Sequence, residues 1–235
     1  HNWKPKPHWI NTAHGLVAAI GTVLRAFTNQ NDGIIIFSPV YHQFRNIIKA
    51  NNRELIESEM IKENGTYYLD LDNLENKIKG NEKVVILCSP HNPSGRLWSE
   101  HELKDIAYFC KRHDLILIID EIHNDLVNPE NNHITFPKIG ENFFDSELDN
   151  EKNIWNNCLP KQHIRIDSTY LAWVDFSKTG DTENTNYNKL INHGKIISKR
   201  GSTFGLGGYN HFRFNLATST NLVKESTERL RSVFK

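Results

Sequence analysis

Lys83-Val84-Val85-Ile86-Leu87-Cys88 runs into Ser89-Pro90-His91-Asn92-Pro93-Ser94-Gly95, and from Ser99 into a charged, periodic segment. An unbroken apolar run closed by Ser and Pro is the pattern of a strand buried on both faces, since neither face can carry polar groups. Residues 99–113 are amphipathic, and Ser99 with Glu102 makes the S-x-x-E pattern of a capping box at their start. Residues 115–119 are a second apolar strand, ended by Asp120-Glu121. Strand, helix and strand in this order predict a parallel pair with a crossover helix. Ligand chemistry then belongs at the C-terminal ends of the strands.

The same grammar extends upstream. Gly33-Ile34-Ile35-Ile36-Phe37 ends at Ser38-Pro39, and residues 41–49 are expected to be helical. A strand is expected over 53–59, and a short helix over 71–78 with Asp70 as its cap. Residues 11–27 read as a helix capped by Thr12, with Leu16, Val17, Ile20, Val23, Leu24 and Phe27 on one stripe. After Asn131 the texture changes. Residues 131–157 are polar with no clear βα unit, 164–176 read as one long or bent strand, 195–198 and 211–215 as short strands, and 221–234 as a helix. The expected fold is therefore α/β. It has a mostly parallel sheet with helices on both faces in residues 1–146, and a smaller α+β domain of mostly antiparallel strands in 147–235.

Composition narrows the function classes. The 235 residues carry 28 Lys+Arg against 28 Asp+Glu, so the formal net charge is zero. A protein that neutralises phosphates needs a basic excess or block, which argues against nucleic acid as the main partner. No apolar run approaches the ~20 residues that span a bilayer, which argues against a membrane. Three unpatterned cysteines, Cys88, Cys110 and Cys158, suggest a reducing compartment, hence the cytoplasm. The polar, Pro-broken start at residues 1–7 has no signal-peptide character. Asp120, Glu121 and His123 could suggest a metal, but no second group has ligand spacing, so none is expected. Gly205-Leu206-Gly207-Gly208 does not follow a long strand, so it is read as a flexible hairpin loop and not a dinucleotide fingerprint.

Four segments sit where such a sheet would place a site: Ala13 to Val17, Ser38 to Tyr41, Ser89 to Gly95, and Asp120 to His123. Their order and content, with Phe44, Arg96, the run Ser168 to Asp175, and Phe212-Arg213-Phe214-Asn215, resemble the class I/II aminotransferase superfamily of fold-type I pyridoxal-phosphate enzymes. The likeness is greatest to the branch of C–S lyases acting as cystathionine β-lyases. The resemblance implies a set of roles. Asp120 would face the pyridine nitrogen, and Asn92 the ring's phenolic oxygen with His123 beside it. Tyr41 would stack on the ring. Gly15, Leu16 and Val17 would offer backbone amides to the phosphate, as helix starts do. Arg213 would clamp the carboxylate of an amino-acid substrate. Its flanking Phe212 and Phe214 favour an enclosed position, because strand alternation turns both rings to the opposite face. A homodimer with sites at the interface is also implied, as is an arm ahead of His1 that completes the neighbour's site.

One family element has no match. The resemblance implies a lysine in a Ser-x-Ser-Lys or Pro-Ser-Lys segment after the Asp-Glu-Ile-His run, serving as cofactor anchor and general base. Lys178 in Ser177-Lys178-Thr179 and Lys152 in Asn150-Glu151-Lys152-Asn153 are read as ordinary solvated lysines. No catalytic residue is therefore assigned. The likeness runs to about Ser146 and resumes at Glu147, so an internal block is expected to be missing and a chain break is expected there. Loss of such a block from a doubly wound sheet would expose apolar faces such as 115–119 and leave strand edges unpaired. The expected activity is β-elimination on cystathionine or a related thioether amino acid, giving thiol, pyruvate and ammonia. The alternatives are an aminotransferase, a non-catalytic domain of the same fold, and an unrelated nucleotide-binding α/β protein.

Overall fold

The computed structural model describes residues 3–4, 7, 10–142 and 168–234. Helix α1 (Leu16–Phe27) leads into β1 (Gly33–Ser38), α2 (His42–Ala50) and β2 (Glu54–Glu59). A hairpin of β3 (Ile61–Glu63) and β4 (Thr66–Tyr68) follows, then α3 (Leu71–Glu75), β5 (Glu82–Cys88), α4 (Glu100–Arg112), β6 (Ile116–Asp120) and α5 (Phe136–Asn142). Beyond Ser168 come β7 (Leu171–Asp175), α6 (Glu183–Asn192), β8 (Lys199–Arg200), β9 (His211–Asn215) and α7 (Thr220–Val233). The 146/147 junction and Lys152 lie outside the described residues.

The first sheet has the order β2-β1-β5-β6 and is parallel throughout. Alternation along β1 explains the layers. Ile34 and Ile36 join Ile20 and Leu24 of α1 and Phe44 and Ile48 of α2 on one face. Ile35 and Phe37 join Leu74 of α3 and Leu103, Ile106 and Phe109 of α4 on the other. Helices thus cover both faces, as expected. From β1 the chain moves to one side, to β2, and from β5 to the other, to β6. The switch point lies between β1 and β5, where Ser38-Pro39 and Ser89-Pro90 leave the sheet.

The sheet is unevenly covered. The β5 residues Val84, Val85 and Ile86 are fully buried, but Ile116 of β6 is 38 % exposed and Leu117, Ile118 and Ile119 are only half-buried. Among the described residues β6 is an edge strand. This is the exposed apolar face expected of a sheet that lacks neighbours on that side.

The second sheet, β7-β9-β8, is antiparallel. It docks through its Trp173 face. Trp173 and Phe204 belong to the same core as Ile35, Phe37 and Leu103. Trp173 Nε1 donates to Tyr67 Oη at 3.0 Å, and its ring stacks on His211. Lys62 Nζ bonds Asp175 Oδ2 at 2.6 Å and lies 2.9 Å from His211 Nε2. The β3–β4 hairpin is therefore the bracket that holds the two sheets together.

Several local expectations are corrected. Helix α1 starts at Leu16 and not at residue 11, because Gly15 at φ +80° interrupts helical geometry, and Thr12 caps nothing there. Leu16 and Phe27 of its stripe are exposed. The β3–β4 hairpin was not foreseen, although Asn64 (φ 49°) and Gly65 (φ 80°) make the left-handed pair favoured in two-residue hairpins. Helix α3 stops at Glu75, while Asp70 caps it as expected. Of the strand expected over 164–176, residues 164–167 lie outside the described residues; beyond Thr169, whose φ of 70° breaks extended geometry, β7 covers Leu171–Asp175. Residues 195–198 are irregular, and β8 follows them. The glycine loop is tightly seated: a Cβ on Gly205 would lie 2.3 Å from Glu57 Oε2, and one on Gly201 would lie 1.9 Å from Gly208 O.

Tyr67→Phe leaves the buried Trp173 N–H without its acceptor. We expect a loss of about 1–3 kcal/mol in urea unfolding, against about 0.5 kcal/mol or less for Tyr68→Phe on the exposed side of the same strand.

Candidate functional site

The predicted residues gather where the sheet's C-terminal ends meet β9. Asp120 closes β6 in register with Cys88, and its backbone carbonyl accepts from Ser89 N–H at 2.9 Å. The next loop is pinned by two backbone bonds, Gly95 N–H to His91 O and His91 N–H to Arg96 O. Asn92 N–H is directed at Cys88 Sγ, at 3.4 Å. Asn92 is thereby held beside the Asp120–Cys88 rung.

Arg213 reaches the same place from the second sheet. Phe212 and Phe214 turn to the opposite face and pack with Ala172, Val174 and Leu190, as alternation requires. Arg213 Nη1 donates to Asn92 Oδ1 at 3.0 Å, and its guanidinium lies 5.1 Å from the Phe204 ring centre. Its charge is partly desolvated, which lowers its pKa, while Tyr41 and Tyr170 act on it electrostatically in the other direction. His123 is buried, and burial, then the Arg213 charge, lowers its pKa. Its Nδ1 has no partner among the described residues, and its ring stands 5.9 Å from Tyr170. Tyr41, Asn92 and His123 therefore gather around Arg213.

Gly15, Leu16 and Val17 lie at the same end by a separate argument. A Cβ on Gly21 would lie 2.9 Å from Ile47 Cδ1, and Arg25 Nη1 donates to Asn51 Oδ1 at 3.1 Å. The constant offset means α1 and α2 run side by side in the same direction. Carried back, it sets Gly15 and Leu16 beside Tyr41 and His42. Gly15 gives α1 no side-chain cap, and no acidic residue stands in the first turn. Among the described residues, the first amides of α1 therefore have no side-chain cap and are suited to an anion.

These residues fit pyridoxal phosphate. The decisive one is Asp120, at 3 % exposure. Burial pushes its carboxyl up to about 6, Ile122 N–H pulls it down through a 3.0 Å bond, and Glu121 pushes it up further. No cation offsets that burial among the described residues. A protonated ring nitrogen would supply one. His123 Nδ1, three residues on, is a second unmet polar atom among the described residues. Among the described residues no group of three or more His, Cys, Asp or Glu side chains is placed to hold a metal.

The structure adds residues to which no role was given. Tyr170 comes in because Ser168 bridges to Val127 and its hydroxyl donates to Gly95 O at 2.9 Å. Phe204 lies beneath Arg213, and nothing in the local sequence marks it. Lys178 sits exposed in a 3-10 turn, Ser177–Thr179, at the far end of β7 from Tyr170.

A strand-end site at the switch point of a parallel sheet, completed by a small antiparallel sheet, matches the family described as Aminotransferase class I and II over residues 4–153. The chain belongs to that family. It is similar to cystathionine beta-lyase PatB of Bacillus subtilis (strain 168), at 25 % identity over 99 % of this chain and 79 % of the relative. It is also similar to a cystathionine beta-lyase of Corynebacterium glutamicum, at 23 % identity over 99 % and 80 %. Among solved structures, cystalysin from Treponema denticola, whose crystal contains a pyridoxal 5′-phosphate cofactor, superposes with a TM-score of 0.86. That match is at 27 % identity and covers 99 % of this chain and 78 % of cystalysin. The PatB alignment runs over 306 positions against the 235 residues here, so the relative carries positions that this chain lacks.

Asp120→Asn tests the desolvated carboxyl. A carboxyl held above its ordinary value binds more protons folded than unfolded, so stability falls as pH rises from about 4 to about 6 and stays reduced above. The cofactor-free Asn variant should therefore unfold at higher urea than wild type at pH 7.5, by up to about 3 kcal/mol. The difference should vanish near pH 4.

Proposed function

We propose that this chain binds pyridoxal phosphate and an amino acid in the hollow between the strand ends and β9. The reaction it is built for is the cleavage of a carbon–sulfur bond in a thioether amino acid such as cystathionine, giving thiol, pyruvate and ammonia. The observation that carries this is the 3.0 Å bond between Asn92 and Arg213, made across the two sheets beside a buried, cation-poor Asp120. The relatives named above support the lyase branch.

The residues divide the work by chemistry. Asp120 keeps a proton on the ring nitrogen. Asn92 offers its side-chain N–H to the ring's phenolic oxygen, since its Oδ1 is already engaged by Arg213. Tyr41 lies against the ring, and the amides of Gly15, Leu16 and Val17 take the phosphate. Arg213 turns its remaining N–H groups to the substrate carboxylate. His123, kept neutral by burial and by the Arg213 charge, offers Nδ1 toward the bound molecules without adding a charge. When bound, pyridoxal phosphate supplies an electron sink for the substrate's α-carbon.

No residue of this chain is assigned as the base. The family's lysine segment has no counterpart after Asp120-Glu121-Ile122-His123, so cofactor binding here is non-covalent and the 235-residue chain does not turn over. That absence favours the non-catalytic reading of this chain. The family match favours an aminotransferase as the second catalytic reading, since the same residues serve both. Two units, 1–146 and 147–235, a homodimer and a cytoplasmic location complete the proposal.

Titration with pyridoxal phosphate should quench tryptophan fluorescence, and Asp120→Ala or Asn92→Ala should each weaken binding about tenfold or more. Borohydride should leave the intact mass unchanged. A lysine fixed to the cofactor would overturn the non-covalent reading, and pyruvate released from cystathionine without a keto acid would make the chain an active lyase.

A further inference from the structure

Arg213 stands at one end of a column of rings. Its guanidinium lies 5.1 Å from the Phe204 ring centre, Phe204 meets Trp173 edge-on at 5.1 Å, and Trp173 stacks on His211 at 5.2 Å. His211 and Arg213 share one face of β9, because Phe212 between them turns to the other. Across the ladder Asp175 stands opposite His211, and Trp173 opposite Arg213. The place of Arg213 beside Asn92 therefore depends on what holds the far end of the column.

That end is held by one ammonium. His211 Nδ1 lies 3.0 Å from the Tyr209 carbonyl, which can only accept, so Nδ1 carries the ring proton and Nε2 presents a lone pair. Lys62 Nζ donates to this Nε2 at 2.9 Å and to Asp175 Oδ2 at 2.6 Å. Ser177 N–H donates to Asp175 Oδ1 at 2.8 Å. Tyr67 Oη, which accepts from Trp173 Nε1, lies 3.5 Å from His211 Nε2. The groups facing His211 are thus Lys62 from β3, Tyr67 from β4, Asp175 from β7 and, through its charge, Glu183 of α6. Burial, then the Lys62 charge, lowers the His211 pKa, while the Tyr209 carbonyl, Asp175 and Glu183 act the other way. The Lys62 bond needs this neutral ring, since a protonated imidazole has no lone pair to accept it.

We infer that Lys62 is a positioning residue for Arg213: by donating to His211 Nε2 it fixes the ring column on which the guanidinium rests, and so sets the grip on the substrate carboxylate. The inference rests on Arg213 being the carboxylate clamp. Loss of the Lys62 head group removes donor and cation together. His211 is then free to take a proton at Nε2 and pair with Asp175 Oδ2, 3.6 Å away. Acid therefore acts in opposite directions on the two chains. It breaks the Lys62–His211 bond in wild type, and it supplies a substitute cation in Lys62→Met.

Two stable probes isolate the carboxylate: pyridoxamine phosphate, and N-phosphopyridoxyl-L-alanine, which adds an amino-acid carboxylate to the same ring and phosphate. Calorimetric titration of the whole chain gives the ratio of their affinities. Near pH 8 the alanine adduct should bind wild type about tenfold or more tighter than pyridoxamine phosphate. Arg213→Gln should abolish that preference. Lys62→Met should reduce it about fivefold while pyridoxamine phosphate affinity stays within about twofold, which excludes misfolding as the cause. On acidification to about pH 5.5 the preference should recover in Lys62→Met and not rise in wild type. A Lys62→Met preference equal to that of wild type overturns the positioning role, and the Arg213 clamp still stands if Arg213→Gln loses the preference. Equal loss of both probes makes Lys62 a structural support and overturns the inference. A Lys62→Met deficit that acid does not reverse overturns the route through His211. A wild-type chain that does not distinguish the probes overturns the clamp, and the inference with it.

Discussion

Every functional feature of this chain depends on two strands buried on both faces. β1 and β5 have no polar face to offer, so helices must lie above and below them, and the chain must leave the sheet at the strand ends. That constraint puts Ser38 to Tyr41 and Ser89 to Gly95 side by side at one edge. Asp120 follows because β6 continues the same parallel register one strand further on. Its carboxyl is then carried into a dry place by the backbone, and the cost of that burial is the most direct sign that something cationic belongs there.

Much of this was legible from residue order alone. Apolar runs ended by Ser-Pro identified β1 and β5, the Ser99–Glu102 pair located the start of α4 and is observed as a capping box, and Phe212-Arg213-Phe214 turned Arg213 inward. What escaped was set by tertiary contact. The β3–β4 hairpin carries Lys62 and Glu63 beside its Asn64-Gly65 turn, and charges there hid the alternation; its worth comes from Tyr67 meeting Trp173 more than one hundred residues later. Phe204 and Tyr170 enter the hollow through loops, where no periodicity exists to be read. Residues 205–208 looked mobile because glycine is permissive in isolation, yet here each close approach leaves no room for a side chain.

The contrast between β5 and β6 bears on how this chain differs from its relatives. A doubly wound sheet buries its central strands fully, and β5 obeys. β6 is half-exposed although its sequence, Ile-Leu-Ile-Ile, is as apolar as that of β5. The relative PatB is aligned over 306 positions against the 235 residues here, and β6 is the edge strand among the described residues. Tyr41, Asn92, Asp120 and His123 precede the 146/147 junction and Arg213 follows it on β9, and all five are among the described residues.

The seat of Gly205 on Glu57 and of Gly207 near Glu59 and Pro39 has a consequence for how such a cleft can evolve. This loop is the mortise into which the small sheet's tenon is cut, and it lies only a few residues before Arg213 in the chain. A single methyl group added there would act as a shim, tilting β9 and moving the guanidinium off Asn92 without touching either residue. Substrate preference in this architecture can therefore be retuned by carpentry at a distance, through residues that never meet the bound molecule.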